Sequence, residues 1–175
     1  MNLPITQTFH FCPRCGAAAA AIGEDPFRCS ACQYTFHFGP TVAVGGIVTD
    51  SQGRVLLLRR ARDPGKGKWG LPGGFVDSGE TGEMALIREI QEEVRLNVES
   101  FQYLTSFTNS YEYRGLIIPV VDLFYTCQIV DLDALEAEPS EVQSTSFCDL
   151  GPEHLENMAF ESNRLALQTF LESRA

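Results

Sequence analysis

The stretch Gly73-Gly74-Phe75-Val76-Asp77-Ser78-Gly79-Glu80, continued through residues 81–87 to Arg88-Glu89-Ile90-Gln91-Glu92-Glu93, decides how the rest of the chain is read. Met84, Ile87, Ile90 and Val94 recur at helical spacing, so residues 81–95 are expected to form an amphipathic helix. On that helix Glu89, Glu92 and Glu93 stand at i, i+3 and i+4, and three carboxylates share a sector opposite the stripe of Ile87, Ile90 and Val94. Like charges this close raise one another's pKa and destabilise the helix unless a cation sits among them. Hard oxygen ligands around a site with room for water suit Mg²⁺ or Mn²⁺ better than zinc. A solvated acidic face is the bland alternative, and three glutamates alone would not displace it.

The wider spacing displaces it. Gly74, Glu80, Arg88, Glu89, Ile90, Glu92, Glu93 and Leu96 fall in order on a known signature: Gly, five residues, Glu, seven residues, Arg-Glu, an aliphatic residue, any residue, Glu-Glu, any residue, Gly and an aliphatic residue. In this the chain resembles the Nudix family, closely over the motif and loosely from about Thr41 onward, including Leu71-Pro72-Gly73-Gly74. One position departs: Arg95 stands where the pattern has Gly, so the helix is expected to end differently, through Asn97.

The resemblance implies an α/β fold, an α/β/α sandwich with a mixed sheet, and a metal-dependent hydrolase that cleaves the diphosphate linkage of a nucleoside diphosphate joined to another moiety. It assigns Glu89, Glu92, Glu93 and the carbonyl of Gly73 to Mg²⁺ or Mn²⁺, and gives Glu80 and Arg88 supporting contacts in the catalytic set. The physical chemistry agrees, because three glutamates repel a diphosphate unless metal ions neutralise it and lower the pKa of an attacking water. The base that takes the water's proton is left among Glu89 and two glutamates of a later loop, Glu138 and Glu141. ADP-ribose, NAD(H), FAD and nucleotide sugars are all open as substrates. The reading from another class is a catalytically silent sensor of nucleotides, or a binding module built on the N-terminal segment.

That segment carries Cys12-Pro-Arg-Cys15-Gly and Cys29-Ser-Ala-Cys32, two knuckles separated by thirteen residues. Tetrahedral Zn²⁺ takes four thiolates from two such tight turns, so Cys12, Cys15, Cys29 and Cys32 are the expected ligands of a small, structural zinc ribbon. Iron or a redox pair are the alternatives. Gly16 suits the left-handed turn after the first knuckle, whereas the second has Gln33. His10 and His37 are bystanders to a shell already complete. A ribbon ahead of such a domain is similar to the architecture of NADH pyrophosphatases, but their Ser-Gln-Pro-Trp sequence after the motif has no counterpart in residues 104–110.

At 175 residues and 44% hydrophobic, the chain accommodates one domain of about 140 residues and a stapled appendage. The boundary is expected near Gly39 and Pro40, giving a ribbon over 1–39 and the main domain over 40–175. A formal charge of −10 argues against nucleic acid and anionic membranes as partners, and a cytoplasmic protein is expected from the absence of a signal-like N-terminus. A homodimer is left open. Cys127 and Cys148 lie alone in apolar surroundings and read as buried thiols.

Working outward, residues 41–49 and 54–60 read as a hairpin, with further strands at 101–108, 117–130 and 142–148 and helices at 152–157 and 161–173. Gly65-Lys66-Gly67-Lys68-Trp69-Gly70 has dinucleotide-fingerprint spacing but opens no helix, so no Rossmann site is expected. Trp69 and Phe75 read as core residues. Tyr111, Tyr113 and Arg114 sit in what reads as a polar surface loop that could meet a base or ribose.

Overall fold

In this computed structural model, which describes residues 2–174, the contacts fall into two units. The first contains the residues up to Thr41 together with Ser110–Val120, and the second contains Val42–Asn109 and the chain from Val121 onward.

The first unit is built from short pieces: β1 (Leu3–Pro4), β2 (Phe27–Arg28) and β3 (Thr35–Phe36), with β2 and β3 antiparallel. Phe9 is its apolar centre, with ring centroids 5.5 Å from Phe27, 5.3 Å from Phe36 and 4.7 Å from Phe38. So few residues bury little apolar surface, and a unit of this size gains much from a cross-link or a bound metal. Residues 110–120 join this unit as the tip of a long hairpin. Arg114 and Gly115 both have positive φ, 48° and 83°, the conformation a two-residue strand connection needs. The expected surface loop at Tyr111, Tyr113 and Arg114 is therefore corrected to strand and tight turn. β1 pairs in parallel with this tip, Leu3 against Leu116 and Pro4 against Ile117.

The second unit carries β4 (Thr41–Val48), β5 (Val55–Arg60), β6 (Trp69–Gly70), α1 (Gly82–Val94), β9 (Val142–Cys148), α2 (Pro152–Leu155), α3 (Glu161–Glu172) and, outside residues 110–120, the long strands β7 (Val98–Tyr113) and β8 (Leu116–Ile129). β8 pairs with both β4 and β7, while β5 lies between β6 and β9, antiparallel to each. The hairpin expected from residues 41–60 is thus a corner. β4 and β5 share only the bridge between Thr49 and Val55 before entering different sheets. Asp50 shapes that corner by accepting from the amides of Gln52 and Arg54, both at 2.9 Å.

Alternation along β5 sorts the core. Leu56 and Leu58 pack with Ala85, Leu86, Ile90 and Val94 of α1, while Val55 and Leu57 pack with Ala166, Leu167 and Phe170 of α3. Strand side chains point to opposite faces in turn, so helices cover both faces and the α/β/α layering follows. Cys127 and Cys148 are buried, and burial pushes the Cys127 thiol up to about 12. Among the described residues no helix is long and apolar enough to cross a membrane.

Candidate active site

α1 starts where Thr81 Oγ1 accepts from the amide of Met84 at 3.3 Å. It stops at Arg95, which itself takes the left-handed conformation (φ 58°) and donates its amide to Gln91 O at 3.1 Å. The expectation that the helix would finish through Asn97 is corrected: the geometry a Gly would give is kept, and Arg95 bears the strain. The reason lies one residue on, where Leu96 is fully buried and has to be turned into the core.

The register of α1 also differs from the expected stripe. Met84 and Ile87 are exposed, and the buried residues are Ala85, Leu86, Ile90, Glu93 and Val94. Glu93 therefore does not lie on a solvent sector opposite the core. It dips into the protein with 7% exposure, while the Glu92 side chain remains 59% exposed.

The segment before α1 is threaded along β4, with Val44 N donating to Gly74 O and Gly46 N to Pro72 O, both at 2.8 Å. Two glycines permit this approach. A Cβ on Gly73, whose φ is 147°, would sit 2.1 Å from Val44 O, and one on Gly74 would sit 2.5 Å from Glu89 Oε1. Gly73 N then donates to Glu93 Oε2 at 2.8 Å, and the loop and the last turn of α1 are joined at the carboxylates.

Arg88 organises the others. Its Nε and Nη2 meet Glu80 Oε1 and Oε2, each at 2.8 Å, in a two-pronged pair. Its Nη1 donates to Glu89 Oε1 at 2.8 Å and Glu92 Oε2 at 3.1 Å, and Nη2 also reaches Phe75 O at 3.0 Å. Arg88 thus gathers Glu80, Glu89 and Glu92, and Gly73 N holds Glu93 on the adjoining buried side of α1; the three helix carboxylates do not close to within 4.8 Å of one another as the four cysteine sulfurs do.

The electrostatics follow from this geometry. Arg88, and then the Asp77 amide, pull the Glu80 carboxyl down to about 2. Burial pushes Glu93 up to about 8; Gly73 N–H opposes it, and the charges of Glu89 and Glu141 add to it. Glu89 is raised as well, chiefly by burial. Mutual repulsion, the cause expected from the spacing, is thus the smaller one. Burial thus disfavours the charged forms of Glu89 and Glu93, a cost that positive charge relieves and that Arg88 and the nearby Arg60 relieve in part.

The two later glutamates part company. Glu138 is engaged with Arg95 Nη2 at 3.3 Å and Ser140 Oγ at 3.1 Å. Glu141 has its charge registered by both Glu89 and Glu93, and it pairs with Arg62 at 2.7 Å. Sequence reading missed Arg62, because nothing in Arg59-Arg60-Ala61-Arg62 says which arginine faces the later loop. Trp69 packs in the core, with the Arg59 guanidinium 3.6 Å from its ring centroid.

In the first unit the sulfurs of Cys12, Cys15, Cys29 and Cys32 all lie within 4.8 Å of one another. The Cys12–Cys32 and Cys15–Cys29 separations are 3.8 and 3.7 Å, matching the edge of about 3.8 Å of a tetrahedron with metal–sulfur bonds of about 2.3 Å. Both knuckles close alike, Gly16 N on Cys12 O at 2.9 Å and Gln33 N on Cys29 O at 3.0 Å. Gln33 takes φ 61°, so the second turn needs no glycine. Amides of Cys32 and Ala31 draw the Cys29 thiol down to about 7, while Cys15, although the Ala17 amide lowers it, is pushed up to about 12 by its hydrogen bonds with the other thiols, as sulfurs this close share protons when no cation stands among them. His10 and His37 stand outside the cluster.

The model of the NUDIX domain matches residues 39–167. An ADP-ribose pyrophosphatase of Methanocaldococcus jannaschii is 32% identical over 137 residues, 76% of this chain and 75% of that protein. An NAD-capped RNA hydrolase NudC of Pseudomonas aeruginosa is 32% identical over 143 residues, 75% of this chain but only 51% of the relative, so the chain spans about half the length of that protein. A crystal structure of a NUDIX hydrolase from Nitrosomonas europaea superposes with a TM-score of 0.65 at 25% identity, covering 94% of this chain and 91% of that one. With the domain model matching residues 39–167 and a 32% identical relative covered over three quarters of its length, the chain belongs to the Nudix family.

Proposed function

We propose that this chain hydrolyses the diphosphate linkage of a nucleoside diphosphate joined to a second moiety, with ADP-ribose first among the substrates. The observation that carries the reading is the placing of three glutamates along one stretch of α1, with Arg88 drawing Glu89 and Glu92 together and Gly73 N holding Glu93 beside the glycine loop. The similarity to an ADP-ribose pyrophosphatase over three quarters of both chains supports the choice of substrate.

Glu89, Glu92, Glu93 and the Gly73 carbonyl would hold Mg²⁺ or Mn²⁺, ions that neutralise a diphosphate and acidify water when bound. Cys12, Cys15, Cys29 and Cys32 would hold a structural Zn²⁺. Of the two loop glutamates Glu141 is the better candidate for the base: each pairs with an arginine, but the charge of Glu141 acts on both Glu89 and Glu93, whereas Glu138 faces Arg95 and Ser140 at the end of α1. Glu141 accepts the proton of a water whose oxygen bonds to one phosphorus; the bridging P–O bond to that phosphorus breaks, and the other phosphate departs with the bridging oxygen. Glu80 acts through Arg88, which it holds in place from two sides.

The test is a panel of ADP-ribose, NADH, FAD and UDP-glucose with Mg²⁺, products followed by chromatography. Mg²⁺-dependent splitting of at least one, abolished by chelator, is the expected result. Binding across the panel without cleavage would replace the enzyme by a nucleotide sensor.

A further inference from the structure

We infer that Arg62 is a positioning residue that sets the carboxylate of Glu141 toward the glutamate cluster; this rests on the reading of Glu141 as the base. Three observations converge on it. The first is the backbone. Glu138 N donates to Glu93 O at 2.9 Å and Glu136 N to Val94 O at 3.1 Å, fixing the loop to the end of α1. Ala61 N donates to Glu141 O at 2.8 Å, fixing the other side of the loop just beyond β5. The main chain of Glu141 is thereby fastened to the helix that bears the acids and to the strand that leads to Arg62.

The second is a bulge. Along β5 and β9 the partners run Leu58 with Thr145, Arg59 with Ser144, and then Arg60 with Val142, so Gln143 is extra. One added residue exchanges the two faces of a strand. Regular pairing would exchange the faces of Val142 and of Glu141 just before it relative to β5, so the bulge decides which way the residue leading into β9 is presented. The third is the pair itself, Arg62 Nη2 to Glu141 Oε1 at 2.7 Å. With the backbone fastened, side-chain rotation is the freedom left to Glu141, and Arg62 removes it. The Arg62 side chain is 61% exposed, so the pair adds little to stability and its effect falls on orientation.

The test is steady-state kinetics with Mg²⁺ on the best-cleaved compound of ADP-ribose, NADH, FAD and UDP-glucose. Arg62→Ala should lower kcat about 10-fold with KM within about 2-fold, and Arg62→Lys should recover most of the loss. Glu141→Gln should lower kcat about 100-fold, the usual scale for removing a general base, and Arg62→Ala added to it should cost nothing further. Melting temperatures of the single variants should match that of the parent. A raised KM with unchanged kcat in Arg62→Ala would mean that Arg62 touches substrate, and multiplicative losses in the double variant would mean that it acts apart from Glu141; either overturns the inference while leaving the base in place. Full activity in Glu141→Gln would instead remove the base assignment, and the inference with it.

Discussion

Gly73 N donates to Glu93 Oε2 across twenty residues of sequence, and this bond ties the glycine loop to the last turn of the carboxylate helix. It also leaves Glu93 buried with one neutral donor, and burial holds its carboxyl at about 8 against an ordinary 4.5.

From this a pH dependence follows for the metal-free protein. The folded-state pKa of Glu93 is raised above the unfolded value, so its contribution to stability is fully present below about 4.5 and is lost as pH rises through about 8. Mg²⁺ held by Glu93, as proposed, would replace the proton. The rise in melting temperature on adding Mg²⁺ should therefore be larger at pH 9 than at pH 6, and Glu93→Gln should abolish that difference. Equal Mg²⁺ effects at both pH values, read by scanning calorimetry, would argue against a titrating Glu93.

Arg88 is the hub of the cluster, bound to Glu80, Glu89, Glu92 and Phe75 O. Arg88→Ala should reduce kcat by about 100-fold or more, because it frees two proposed metal ligands and leaves Glu80 with its charge unmatched. Arg88→Lys should recover little, since an ammonium cannot reproduce the planar fork. Kinetics of the two variants, with circular dichroism to show retained folding, would check this.

The helix end offers a test of stability alone. Arg95 holds φ 58°, a conformation that costs a non-glycine residue about 1 kcal/mol, and its ion pair with Glu138 is half-exposed. Arg95→Gly should raise stability to denaturant by up to about 1 kcal/mol with kcat unchanged. A loss in the urea midpoint would show the ion pair to outweigh the strain.

Much of this was legible in the sequence, and what escaped has a common cause. Spacing points to Glu89, Glu92 and Glu93 because residues three and four apart neighbour one another on a helix, and it brings out the grouping of the four cysteines because a knuckle is local. Spacing cannot say how deeply a face is set. Met84 and Ile87 look like core, yet Ala85 and Leu86 are the residues buried, because the sheet side chains they meet come from distant strands. The parting of β4 and β5 after Asp50 and the bulge at Gln143 depend likewise on pairings between segments far apart in sequence. Arg62 escaped for that reason, since its partner is set by the register of β9.

The first unit makes a separable prediction. If the four sulfurs hold zinc, purified protein should contain one equivalent, and Cys12→Ser with Cys32→Ser should lose it. Limited proteolysis should then cut within residues 2–41 while residues 42–109 remain intact. A full zinc complement in that double variant would remove the assignment.

The central claim is that Glu89, Glu92 and Glu93 form a divalent-cation site that serves hydrolysis. Electron paramagnetic resonance of added Mn²⁺ reads it directly, since free and protein-bound ion give different signal amplitudes. The parent protein should bind Mn²⁺ competitively with Mg²⁺, and Glu92→Gln and Glu93→Gln should weaken that binding and turnover together; Mn²⁺ binding and turnover unchanged in both variants would contradict it.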